Sequence, residues 1–79
     1  MRILDNETGK ALREIIVYFT RDEMSEVQEI AEAFVKGEED HHYHMNDENF
    51  EREIIFAMYT DENLHEFDER SRKLIVEGK

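Results

Sequence analysis

A chain of 79 residues has room for one small domain, residues 1–79, whose core leaves a thin margin over chain entropy. Its 21 acidic and 10 basic side chains give a formal charge of −11, which repels phosphate backbones and anionic lipid. Nucleic acid and membranes are therefore not expected partners, whereas a basic protein is. Cysteine is absent, which removes disulfides and thiolate chemistry, and hydrophobic residues at 39% in periodic runs are enough to drive collapse. The start, Met1-Arg2-Ile3-Leu4-Asp5, lacks the long apolar stretch of a signal peptide, so a cytoplasmic, bacterial-type setting is expected.

In chain order, a short strand is expected at Arg2-Ile3-Leu4, followed by a polar turn over 5–10. Ile15-Ile16-Val17-Tyr18-Phe19, rich in β-branched and aromatic residues, then reads as a central strand. Thr20 with Glu23 forms the signature of a capping box, and Met24, Val27, Ile30, Ala31, Phe34 and Val35 make one apolar helix stripe that ends before Gly37. The same order returns in the second part of the chain. It runs through a strand at His42-Tyr43-His44-Met45, a turn at 46–49, a strand at Ile54-Ile55-Phe56-Ala57-Met58-Tyr59, and a helix after Thr60. That helix would carry Leu64, Phe67, Arg70, Ser71, Leu74 and Ile75, with Gly78 past its end. The two helical stripes are offset by 40 positions. The expected fold is therefore α+β: two ββα halves, 1–37 and 38–79, forming a four-stranded, mainly antiparallel sheet with two helices on one face and its strand order open.

Strand alternation in that sheet turns Ile16, Tyr18, Ile55, Ala57 and Tyr59 away from the helices. Such a face is too apolar for water and is expected to be an interface, most simply that of a homodimer. His42 and His44 share a strand face and form the one candidate metal pair; a third ligand would have to come from Asp40, Asp47 or a neighbouring strand. No resident cofactor is expected, with a divalent metal on that pair as the alternative. Arg70 interrupts the second apolar stripe at the position equivalent to Ile30, so it either snorkels past the sheet edge or makes a specific ion pair, with a binding role as a further alternative.

Ile15-Ile16-Val17-Tyr18, the helix through Phe34 and His42-Tyr43-His44-Met45-Asn46-Asp47 together resemble a predicted bacterial immunity-protein family of polymorphic toxin systems. The resemblance covers 14–59 and leaves the second helix without a counterpart. It implies an acidic module that neutralises a basic protein. Charge and the apolar face point the same way, towards protein binding by an immunity- or antitoxin-like module rather than catalysis. The alternative is a small metal-dependent or acid–base enzyme using His42 and His44.

Overall fold

The computed structural model describes residues 1–39 and 41–78, and the chain is α+β. Its elements are β1 (Ile3–Leu4), β2 (Ala11–Leu12), α1 (Arg21–Val35), β3 (His42–Asn46), β4 (Glu53–Ala57) and α2 (Glu69–Glu77), with a 3-10 turn at Leu64–Glu66 before α2. No helix among the described residues is long and apolar enough to cross a membrane.

The strands form two separate antiparallel pairs, β1 with β2 and β3 with β4, and not the single four-stranded sheet that the sequence suggests. The first pairing is captured by a local turn. The Asp5 amide donates to the Lys10 carbonyl at 2.9 Å, Gly9 donates back to Asp5 at 2.7 Å, and Gly9 takes the φ of 77° that favours glycine. β1 therefore closes on Ala11–Leu12, the residues nearest the turn. The segment Ile15–Phe19 lies outside any strand, because β-branched content makes a strand only where a neighbouring edge supplies hydrogen bonds.

The second helix also begins later than its periodicity implies. Thr60 and Asn63 cap each other, backbone to side chain, at 2.7 and 3.2 Å, yet only the 3-10 turn follows. Phe67 is extended (φ −82°, ψ 155°), and Asp68 restarts the helix by accepting the Ser71 amide at 2.9 Å. The break is stabilised by Arg72, whose Nη1 donates to the carbonyls of Phe67 (2.8 Å) and His65 (3.3 Å). Leu64 and Phe67, expected on the helical stripe, thus precede α2.

The contacts group the chain into two compact units: Met1–Val17 with the chain from Thr60 onward, and Tyr18–Tyr59. In the first, Leu74 of α2 is buried and Ile3, Leu4, Leu64, Phe67 and Ile75 are half-buried. In the second, Ile30 and Phe34 of α1 and Met45 of β3 form the core, with Phe19, Val27, Tyr43 and Phe56 packed against them. Thr20 and Glu23 form the full capping box, at 3.1 Å for the hydroxyl and 2.8 Å for the carboxylate. Val27, Ile30 and Phe34 carry α1's buried face, whereas Met24 and Val35 of the same sequence stripe stay in water.

Candidate functional site

The β3–β4 hairpin presents the most chemically distinct surface. Its register pairs His42 with Ala57, Tyr43 with Phe56, His44 with Ile55, Met45 with Ile54 and Asn46 with Glu53. Paired residues share a face, and the period of two separates the faces. Tyr43, Met45, Ile54 and Phe56 are buried or half-buried on one face, while His42, His44, Glu53, Ile55 and Ala57 are exposed on the other. Alternation was thus sufficient to sort this hairpin correctly, because a buried core on one face fixes the register.

A row of imidazoles runs along the exposed face. His41 and His42 approach Nδ1 to Nδ1 at 3.0 Å with ring centroids 4.7 Å apart, an arrangement in which one nitrogen donates and the other accepts. The His42 and His44 rings meet edge to face at 5.3 Å. His44 Nδ1 lies 3.3 Å from Glu53 Oε2, and both side chains are about half exposed, so water screens the pair. Among the described residues no group of three or more His, Asp or Glu side chains is placed to hold a metal ion. Asp40, one of the third ligands considered, lies outside the described residues, and Asp47 is turned to another task.

Asp47 organises the hairpin turn. Its amide donates to the Arg52 carbonyl at 3.1 Å, and its Oδ1 accepts the amides of Glu51 (2.8 Å) and Arg52 (3.2 Å). The largest electrostatic influence on its carboxyl is desolvation, which raises the pKa. The amides of Arg52 and Glu51 and the charge of Arg52, 3.6 Å away, together outweigh it and hold the group below its usual 3.8.

The other residues expected at an interface fall outside the sheets. Ile16 and Tyr18 belong to the irregular segment before α1 and are 73% and 87% exposed; Tyr59, just past β4, is also exposed. Since they are on no strand, alternation does not assign them a common face with Ile55 and Ala57. Among the described residues, no hydrogen bond engages the backbone of Ile15–Phe19. Arg70 has a structural partner: its Nη2 donates to Asn6 Oδ1 at 2.6 Å, tying α2 to the β1–β2 turn.

Phe50 was not among the residues singled out by sequence. It stands at the tip of the β3–β4 turn, 78% exposed, with a φ of 56°, the one positive φ outside glycine among the described residues. The available signal was an aromatic residue closing a run of turn-forming polar residues, Asn46-Asp47-Glu48-Asn49.

No protein-family model, curated protein or solved structure matches this chain.

Proposed function

We propose that this protein is a small acidic protein-binding module, acting as an immunity protein or antitoxin does, that engages a basic partner and pairs with a second copy of itself. The observation that carries the reading is the exposed face of β3–β4. Ile55 remains 41% exposed and Ala57 is open beside it, although the opposite face of the same strands supplies the core. Tyr18 and Tyr59 of the same compact unit are exposed as well, as is Ile16 in the other unit. The formal charge of −11 accelerates encounter with a cationic protein and discriminates against anionic ones.

Affinity capture at low and high salt tests the basic partner. A cationic protein recovered at low salt and released at high salt is expected; dominant, salt-insensitive capture of an acidic protein or nucleic acid would overturn the reading. The enzyme reading draws on one observation, the His44–Glu53 contact, in which a carboxylate orients an imidazole. Exposure of both groups to water favours the binding module.

A further inference from the structure

Phe50 combines a backbone conformation that costs the free chain stability with a ring that contributes almost no burial in return. The left-handed backbone region crowds the Cβ of an L residue, so turns normally place Gly or Asn there. The ring, 78% exposed, also keeps most of its apolar area in water. The backbone cost is not offset by burial, since the core is built from Ile30, Phe34 and Met45 with their neighbours and does not include Phe50.

The surrounding turn holds this geometry firmly. Phe50 donates its amide to the Asp47 carbonyl at 3.0 Å, and Asp47 clamps the two following amides, so the backbone on both sides is fixed. An aromatic ring held outward by a rigid hairpin tip loses little conformational entropy when it inserts into a partner. The tip is also charged in one sense. Asp47, Glu48 and Glu51 belong to the same turn segment as Phe50, while the local cation, Arg52, is already engaged by Asp47 and Glu51 at 3.6 and 3.3 Å.

We propose that Phe50 is the anchor by which the hairpin tip docks into an apolar pocket rimmed by lysine or arginine on another protein. Charge selects that occupant. A second copy of this chain would bring the same acidic excess to the contact, and an anionic membrane would be repelled by the acidic residues that flank Phe50 in the turn. The inference rests on the reading of the chain as a protein-binding module but assigns the basic partner to the tip, leaving the strand face for self-association.

The test uses the full chain and a host of the stated chemistry: β-cyclodextrin, an apolar cavity, in its neutral form and with every primary hydroxyl replaced by an ammonium group. NMR titration is expected to shift Phe50 and its turn first, with the cationic host bound roughly tenfold or more tightly than the neutral one and the difference fading in high salt. Phe50→Ala is expected to lose the preference. Thermal unfolding supplies the second readout: Phe50→Gly is expected to raise Tm by roughly 4–8 °C, because it relieves the left-handed backbone while the exposed ring that it removes contributes little to folding. A lower Tm for Phe50→Gly would show that the ring stabilises the fold and overturn the proposal, as would shifts centred on Tyr18 or Tyr59. Phe50-dependent binding to zwitterionic phosphatidylcholine vesicles would overturn it in favour of lipid. If Ile55→Glu abolishes capture of a basic partner while Phe50→Ala leaves it intact, the tip assignment fails and the binding-module reading stands.

Discussion

The guanidinium Nε of Arg2 donates to the Leu74 carbonyl at 3.1 Å and to that of Ile75 at 3.3 Å, joining residues near opposite ends of the chain. The last carbonyls of a helix lack partners within it and carry partial negative charge, and α2 has no basic residue in its own last turn. Arg2, placed next to β1, adds a second donor to the Leu74 carbonyl, which already accepts the Gly78 amide at 2.7 Å, and brings the missing positive charge, while Gly78 ends the helix at a φ of 76°.

Arg2→Met is therefore expected to destabilise the protein by about 1 kcal/mol, the usual net worth of such a hydrogen bond, and to loosen α2 first. Urea unfolding gives the magnitude. Amide exchange locates it: faster exchange at Gly78, whose amide donates to Leu74 at 2.7 Å, is expected, with α1 unchanged.

Thr20→Ala removes the hydroxyl that caps α1 and is expected to cost about 1 kcal/mol, whereas Thr20→Ser keeps most of the stability. Equal loss in both variants, measured by thermal unfolding, would indicate that the methyl group rather than the cap matters.

The Asp47 carboxyl is held below its usual value, so its folded state binds a proton less readily than the unfolded state. Its contribution is present above pH 3.8, the ordinary value, and is lost as pH falls through the lower folded value. Asp68 behaves in the same sense, chiefly through its hydrogen bonds from Ser71. Asp47→Asn is expected to reduce the acid-dependent part of the unfolding profile in that window, with β3–β4 turn amides reporting the change by NMR.

Sedimentation of the wild type at tens of micromolar, an order of magnitude suited to a modest interface, is expected to show a homodimer. Tyr18→Glu and Ile55→Glu are each expected to shift it towards monomer. A wild-type monomer would reserve these apolar residues for a different protein.

Zinc is expected to find no sub-micromolar site on His42 and His44. Their rings meet edge to face, and His42 Nδ1 is already engaged with His41. Calorimetric binding of one ion per chain, lost in His44→Ala, would reverse this and favour the enzyme reading.

Features that depend on near neighbours are legible in the residues alone. The capping box at Thr20 and Glu23 follows from a spacing of three, and the left-handed ends at Gly37 and Gly78 from the lack of a side chain. The two faces of β3–β4 follow from a period of two with a core on one side. Tertiary structure decided what depends on competition for partners. Ile15–Phe19 has strand composition but lost the β1 edge to Ala11–Leu12, which the Asp5–Lys10 turn brings there at a smaller loop-closure cost. The second apolar stripe is regular from Leu64 to Ile75, yet the helix waits for the cap at Asp68, because Arg72 satisfies the carbonyls of a broken turn that an isolated stripe cannot provide for. The exposed ring of Phe50 likewise became visible only with the Asp47 clamp, since composition records a residue's type and not the backbone region in which its neighbours hold it.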